Sequence, residues 1–227
     1  MQAATPAPGP QRHFSVAAVL MAAGAGARMG QRPKSLLELD GVPLICRQVM
    51  ALREAGVTEL VLVLGHHAKD IEAAVRPLKV SVVLNPDPDA GPVSSQRLGL
   101  QSLSGHSDAV LMALADQALI DAADLRQLIQ AFSGRPAGCS LLYPRVEGQP
   151  GNPVIFTAGV RADMLACPAD VGCKQWRQAN MSLVEAFACD NLHFVQDVDT
   201  PEDIAALRQS CGRQLQWPVR WQRPADD

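Results

Sequence analysis

Short runs of apolar residues alternate with stretches of helical spacing through the first 132 residues of the chain. Four of these runs predict buried strands, at residues 15–21, 59–64, 80–84 and 109–114. Helices are predicted after them, at residues 42–55, 68–75, 94–103 and 121–132. This alternation is typical of an α/β fold, and we predict a single-domain, three-layer α/β/α architecture with a Rossmann-like, mostly parallel sheet.

The pattern is less regular in the second half of the chain. Further strands are predicted at residues 138–143, 154–156, 183–188 and 193–196, with a Gly- and Pro-rich turn at 147–153 and a helix from Pro201 to about Gln209. Residues 1–13, rich in Ala, Pro and Gln, are interpreted as a disordered leader that lacks the features of a secretory signal. We predict one domain over residues 14–212, followed by a C-terminal tail over 213–227.

Composition narrows the classes of function. The charged residues nearly balance, at 20 Lys and Arg against 23 Asp and Glu, and only 4% of residues are aromatic, so a nucleic-acid-binding surface is disfavoured. The chain has no apolar stretch of the roughly 20 residues that span a bilayer, which argues against a membrane protein. Its six cysteines form no C-x-x-C pair and are typical of reduced thiols, so we expect a cytoplasmic protein.

A glycine-rich loop follows the first predicted strand, and two cationic residues, Arg28 and Lys34, come soon after it. Glycines at this position allow backbone N–H groups to approach phosphate oxygens, and the two cations supply charge for them. The loop is not a P-loop, because Pro33 precedes Lys34. It also differs from a dinucleotide fingerprint, because its third glycine comes one place late and Gly65 and His66 stand where an acid is expected. A nicotinamide-dependent oxidoreductase is therefore disfavoured, and a plain flexible loop remains an alternative.

Three aspartates follow predicted strands. Asp116 ends an uncharged strand, and Asp197 and Asp199 lie on the same side of an extended segment after residues 193–196. Mg²⁺ is typically held by one or two carboxylates together with phosphate oxygens and water, so Asp116 and Asp199 are candidate ligands. The alternatives are a turn acid at Asp116 and helix capping at Asp199, although Thr200 could cap that helix instead.

Several motifs resemble one family over about residues 16–208. They are Leu20-Met21-Ala22-Ala23-Gly24-x-Gly26-x-Arg28-Met29-Gly30-x-x-x-Lys34-x-Leu36-Leu37, Gly91-x-x-Ser94-Ser95-x-Arg97-x-Gly99-Leu100, Ala115-Asp116-Gln117, Gly151-Asn152-Pro153-Val154-x-Phe156 and Asp197-x-Asp199-Thr200-Pro201-Glu202-Asp203. Together they resemble the molybdenum cofactor cytidylyltransferase and guanylyltransferase (MobA-like NTP transferase) family, whose fold is of the nucleotide-diphospho-sugar transferase type.

The resemblance implies an enzyme, a Mg²⁺-dependent nucleotidyltransferase in which an acceptor phosphate attacks the α-phosphorus of a nucleoside triphosphate and pyrophosphate leaves. It assigns catalysis to Arg28, Lys34 and Asp116, with Arg28 and Lys34 neutralising the triphosphate. Asp116 and Asp199 are implied to hold the metal. The nucleotide-binding residues that it implies are Ala22, Ala23, Gly24, Gly26, Arg28, Lys34, Ser94 and Ser95.

Two details bear on the base and the acceptor. Ala22-Ala23-Gly24 and Ser94-Ser95-x-Arg97 resemble the cytidylyl branch, whereas Gly91-Pro92 looks like the guanylyl branch, so CTP is the preferred nucleotide. Molybdopterin is the implied phosphorylated small-molecule acceptor, with a molybdoenzyme as a further partner. Guanylyl transfer, a sugar or polyol phosphate acceptor, and a non-catalytic cofactor-delivery protein remain alternatives, and the oligomeric state is open.

Overall fold

The computed structural model describes residues 14–222, and the leader predicted at residues 1–13 lies outside them. The strands in chain order are β1 (Val16–Ala22), β2 (Glu38–Leu39), β3 (Val42–Pro43), β4 (Glu59–Leu64), β5 (Ser81–Leu84), β6 (Ala109–Leu114), β7 (Leu141–Val146), β8 (Gln149–Pro150), β9 (Val154–Thr157), β10 (Val184–Cys189) and β11 (Leu215–Gln216). The α-helices are α1 (Leu44–Glu54), α2 (Ala68–Val75), α3 (Pro92–Ser102), α4 (Ala122–Ser133), α5 (Ala158–Ala166), α6 (Cys173–Ala179) and α7 (Pro201–Cys211).

The central sheet has the strand order β10-β7-β9-β6-β1-β4-β5, and the short strand β8 pairs with β7. Strands β6, β1, β4 and β5 are mutually parallel, as are β10 and β7. Strand β9 runs antiparallel to both of its neighbours. The sheet is therefore mostly parallel, and the carboxyl ends of β1, β4 and β6 meet at one edge, where α/β folds bind ligands.

Helices cover both faces of this sheet. Val16, Ala18 and Leu20 of β1 are buried in one cluster with side chains of α1, α2 and α4, whereas Ala17 and Val19 are buried in another with side chains of α3, α5 and α6. This alternation follows from the two-residue period of a strand. The three-layer fold predicted from the sequence is thus confirmed.

The contact between α3 and β1 depends on Gly99. A Cβ atom at this position would lie 2.3 Å from Cγ1 of Val19, so a side chain here would push the helix away from the sheet. This close approach holds α3 against the middle of β1. Residues at the start of α3 and at the end of β1 line the cavity described below.

Three predicted elements differ from the structure. The strand predicted at residues 193–196 is a 3₁₀ helix, Leu192–Val195, because the Asn191 side chain accepts a hydrogen bond from the His193 N–H and starts a turn. The turn predicted at residues 147–153 contains strand β8. The helix predicted from residue 42 begins at Leu44, because Val42 and Pro43 form β3.

The C-terminal segment packs against the domain. Strand β11 pairs antiparallel with β2, and β2 pairs with β3, forming a second, three-stranded sheet. Leu215 is fully buried there, and the Arg32 guanidinium lies 4.2 Å from the ring centroid of Trp217. The boundary predicted at residue 212 thus separates segments that the structure joins, and residues 213–222 belong to the body of the fold. Across residues 14–222, no helix has the length and apolar character needed to span a bilayer.

Candidate active site

A cavity of about 330 Å³ opens at the carboxyl ends of β1 and β6 and beside the start of α3. Its size falls in the range of about 300–1,000 Å³ typical of small-molecule sites. The side chains and backbone that line it come from separate parts of the sequence. They are Met21, Ala22, Ala23, Gly24, Pro33, Lys34, Ser35, Pro88, Gly91, Pro92, Ser95, Gln96, Leu114, Ala115 and Asp116.

The loop after β1 is shaped by two glycines in the left-handed region. Gly26 has a φ of 69°, and a Cβ atom there would lie 1.9 Å from the carbonyl oxygen of Arg32. The Gly26 carbonyl accepts hydrogen bonds from the backbone N–H groups of Met29 and Gln31. Gly30, also with a φ of 69°, ends the single 3₁₀ turn that contains Arg28. A side chain at Gly26 would therefore distort the loop that presents Arg28 and Lys34.

Four charged side chains form one cluster at the mouth of the cavity. The Lys34 ammonium donates to Asp116 Oδ2 at 2.6 Å and to Asp199 Oδ1 at 2.5 Å. The Arg28 guanidinium donates to Asp199 Oδ2 at 2.6 Å. The structure thus brings together the two cations and the two carboxylates that were singled out in the sequence.

The backbone next to these carboxylates is held by specific hydrogen bonds. The Val198 N–H donates to the Asp116 carbonyl at 3.2 Å, which joins the end of β6 to the segment before α7. Thr200 caps α7 by accepting from the Asp203 N–H, and the Asp203 carboxylate accepts from the N–H groups of Thr200 and Asp199. The Asp199 side chain has no part in this capping box. It is therefore free to face Lys34 and Arg28.

The cluster changes the pKa values of its members. Burial alone would lower the pKa of Lys34, but the carboxylates of Asp116 and Asp199 outweigh it and raise that pKa above its usual value. Burial alone would raise the pKa of Asp199, but Lys34 and Arg28 outweigh it and lower that pKa. Both groups are therefore held in their charged forms at neutral pH.

Asp197 lies beside the cluster but has a different environment. One of its carboxylate oxygens is buried and has no hydrogen-bond partner among residues 14–222. Burial, together with the charges on Asp116 and Asp199, raises the pKa of Asp197 to about 6. Asp197 therefore takes up a proton at a higher pH than an ordinary aspartate does.

The carboxylates fit a divalent cation of the kind that binds with few protein ligands. Asp116 and Asp199 both reach a single cationic atom, the Lys34 nitrogen, so they are close enough to face one metal ion. Within the described part of the chain, no group of three or more His, Cys, Asp or Glu side chains could hold a metal. A cation here would therefore depend on two carboxylates, with phosphate and water as its other ligands, as Mg²⁺ commonly does.

The two serines predicted to contact the nucleotide lie in different places. Ser95 lines the cavity, whereas Ser94 lines a separate depression on the other side of the α3 N-terminus and donates to the Gly91 carbonyl at 2.7 Å. The buried amide of Asn85 joins them, donating to Ser94 Oγ at 2.9 Å and to Ser95 Oγ at 2.8 Å. Asn85 belongs to none of the motifs quoted from the sequence.

Gln117 connects Asp116 to the motif Gly151-Asn152-Pro153-Val154-x-Phe156. Its buried amide donates to the carbonyls of Asn152 and Phe194, both at 3.2 Å, and the Gln48 amide donates to the Gln117 carbonyl at 2.7 Å. A Cβ atom at Gly151 would lie 2.4 Å from the Phe194 carbonyl oxygen, so this approach requires glycine. These contacts place the motif beginning at Gly151 next to the end of β6. Gln48 was not singled out in the sequence.

His66 and His67 have different partners. His66 Nε2 lies 3.0 Å from Asp89 Oδ1, whereas His67 Nε2 lies 3.1 Å from the Ala25 carbonyl and its ring packs edge-on against Trp221. His67 therefore connects the glycine loop to the C-terminal segment.

A glycine loop at the end of the first strand and paired carboxylates beside two cations, on a mostly parallel α/β/α sheet, define a protein of the nucleotidyltransferase class. The chain belongs to the MobA-like NTP transferase domain family, whose sequence profile matches residues 18–185. The family resemblance seen in the motifs is thus confirmed.

Individual relatives cover most of the chain. Nicotine blue oxidoreductase of Paenarthrobacter nicotinovorans is 31% identical over 199 residues, which make up 85% of this chain and 96% of that protein. Rv0371c from Mycobacterium tuberculosis H37Rv has a similar structure, with a TM-score of 0.75 and 26% identity, covering 88% of this chain and 100% of the other. A nucleotidyl transferase from Methanothermobacter thermautotroptrophicus aligns with a TM-score of 0.69 and 25% identity, covering 86% and 96%.

Proposed function

We propose that this protein transfers CMP from CTP to the phosphate of a small-molecule acceptor, molybdopterin, and releases pyrophosphate. The observation that supports this most strongly is the ion cluster of Lys34, Arg28, Asp116 and Asp199 at the mouth of a glycine-lined cavity. Cations beside a phosphate-sized glycine loop suit a triphosphate, and two carboxylates suit the divalent cation that accompanies it.

The chemistry consists mainly of positioning and charge neutralisation. An oxygen of the acceptor phosphate attacks the α-phosphorus, the bond from the α-phosphorus to the oxygen bridging the β-phosphorus breaks, and the electron pair leaves with pyrophosphate. Arg28 and Lys34 neutralise the charge that develops on the leaving group, and the backbone from Ala22 to Gly26 orients the nucleotide. Asp116 and Asp199 would hold Mg²⁺, which supplies further neutralisation of the phosphate charge when bound.

The acceptor side is assigned to the segment that begins at Gly151. Gln117 fixes this segment next to Asp116, so an acceptor bound there would lie close to the cations. The six cysteines are free thiols, which suits a cytoplasmic protein. A molybdoenzyme in the same compartment would receive the product.

An oxidoreductase is the second candidate, because nicotine blue oxidoreductase is 31% identical over nearly its whole length. In this role the glycine loop and the cavity would hold the phosphates of a nicotinamide dinucleotide. The residues after β4 argue against it, since Gly65 and His66 stand where an acid that binds the ribose is expected.

One assay separates these functions. The full chain is incubated with Mg²⁺ and molybdopterin, or with a sugar or polyol phosphate, and with each of the four nucleoside triphosphates in turn, while pyrophosphate is measured. In parallel, oxidation of NADH and NADPH is followed with a quinone-like dye as acceptor. Pyrophosphate release with CTP and molybdopterin is the expected result. Pyrophosphate release with GTP, or with a sugar phosphate, would identify that compound as the substrate instead. NAD(P)H oxidation without pyrophosphate release, or no turnover at all, contradicts nucleotidyl transfer.

A further inference from the structure

Gln96 is a polar side chain on the wall of the cavity that no motif assigned. It lies in α3 directly after Ser95, and it is one of the few side chains there that can form a directed hydrogen bond, among neighbours such as Met21, Ala22 and Leu114. A buried or half-buried amide in such a place normally fixes the orientation of a ligand.

The orientation of the Gln96 amide is set by the protein. Its Oε1 accepts a hydrogen bond of 3.0 Å from the backbone N–H of Cys173, at the start of α6. A backbone N–H can only donate, so the atom that faces it must be the oxygen and the amide cannot be flipped. The nitrogen is left as a donor with no protein partner anywhere in residues 14–222.

Gly172 makes this arrangement possible. A Cβ atom at position 172 would lie 2.4 Å from Gln96 Oε1 and 3.1 Å from Cγ2 of Val93. The backbone of Gly172 is extended, with a φ of −114°, so alanine is compatible with its conformation. Alanine at this position would therefore act mainly by displacing the flexible end of Gln96, which makes it a probe of that amide.

We propose that Gln96 determines base specificity by donating an amide N–H to N3 of a cytosine base in this cavity, which rests on the function proposed above. N3 of cytosine is an acceptor, whereas N3 of uracil and N1 of guanine carry hydrogen and cannot accept. A donor N–H that is fixed in direction can donate to N3 of cytosine. In the same orientation it would face an N–H group of uracil or guanine, which it cannot bond. Gly172 is a positioning residue for this contact.

The test measures the affinity for CTP, UTP and GTP by calorimetry and kcat/KM from pyrophosphate release, in the full chain. Gln96→Leu removes the donor, and we expect it to weaken CTP binding about threefold to tenfold. Gln96→Glu keeps an acceptor for the Cys173 N–H but presents an oxygen to the base, so we expect the preference to move from CTP to UTP. Gln101→Leu, the same exchange at an exposed position on the same helix, is the matched control and should leave all values unchanged.

Gly172→Ala should reduce the ratio of CTP to UTP affinity in the same direction as Gln96→Leu. The double variant should be no weaker than Gln96→Leu alone, because both changes act on one contact. A purely structural role for Gly172 would instead give additive effects.

The outcomes separate this inference from the function that it depends on. A wild-type chain that binds no nucleoside triphosphate contradicts the proposed function itself. A wild-type chain that binds CTP, with Gln96→Leu and Gln96→Glu keeping its affinity and preference, overturns the role of Gln96 and leaves the function standing. A wild-type preference for UTP or GTP also overturns it.

Discussion

Lys34 and Asp199 form an ion pair of 2.5 Å although 165 residues separate them in the chain. Lys34 follows the glycine loop after the first strand, whereas Asp199 precedes the last helix. The site therefore forms only once the segment before α7 has packed against the start of the domain. Because the Lys34 ammonium also reaches Asp116, it occupies the point between two carboxylates that a divalent cation would otherwise face.

This geometry predicts competition between Lys34 and a metal ion. Lys34→Ala should increase the rise in melting temperature caused by Mg²⁺, because the carboxylates are then free to bind it, while turnover falls. Asp199→Asn should remove most of that rise. Thermal melts with and without MgCl₂ measure both effects. Lys69→Ala, which removes an exposed charge, is the control, and equal Mg²⁺ effects in all variants would exclude this site.

Loss of Asp116 should abolish activity without unfolding the protein. The carboxylate is partly exposed, and within residues 14–222 its one side-chain hydrogen bond is to Lys34, so Asp116→Ala leaves the packing of β6 intact. We expect pyrophosphate release to fall at least about a hundredfold, as for other groups that stabilise charge in a transition state. Pyrophosphate assays and circular dichroism melts of the same preparation check both parts. Full activity in this variant would remove Asp116 from the mechanism.

The strand–helix alternation made most of the central sheet predictable. Strand β4 and helix α2 lie at the predicted residues. The sequence of β4 is one continuous apolar run, and that of α2 is one amphipathic segment. The small sheet was not predictable, because β2, β3 and β11 have two residues each, too few for any period. The 3₁₀ helix at Leu192–Val195 was missed for a similar reason, since a single Asn191 hydrogen bond starts it.

The residues of the candidate site also fall into those that the sequence could predict and those that it could not. Lys34, Asp116 and Asp199 could be singled out because charges that follow apolar strands are conspicuous in a sequence. The amides of Gln48 and Gln96 could not, because their partners are backbone groups many residues away in the chain, 77 in the case of Gln96 and Cys173. Hydrogen bonds to a distant backbone leave no pattern in the residue types, so only the folded chain reveals them.

The capping box at α7 predicts that Thr200 and Asp199 have separable roles. Thr200→Ala removes the acceptor for the Asp203 N–H and should lower the free energy of unfolding by about 1 kcal/mol. Asp199→Asn should leave the cap intact but reduce turnover. Urea unfolding and pyrophosphate assays on both variants distinguish the roles, and the idea fails if Asp199→Asn destabilises the protein as much as Thr200→Ala does.

The cysteines should differ sharply in reactivity. Burial raises the pKa of the Cys173 thiol to about 12, so the reactive thiolate is nearly absent at pH 8. Cys211 is exposed on α7 and should be alkylated readily. Peptide mass spectrometry after brief treatment of the native protein with iodoacetamide measures both sites, and denatured protein is the control. Labelling of Cys173 at the same rate as Cys211 would contradict its buried position.

The C-terminal segment should contribute strongly to stability. Leu215 is fully buried among Leu37, Leu39 and Leu207, although it follows the end predicted for the domain. Leu215→Ala should lower the free energy of unfolding by about 2–5 kcal/mol, because it leaves a cavity in that cluster. Val219→Ala is the matched control, since the Val219 side chain is 83% exposed and its loss should cost little. Urea denaturation of the two variants measures the difference. If Leu215→Ala unfolds at the same urea concentration as the wild type, then residues 213–222 do not pack as part of the domain in solution.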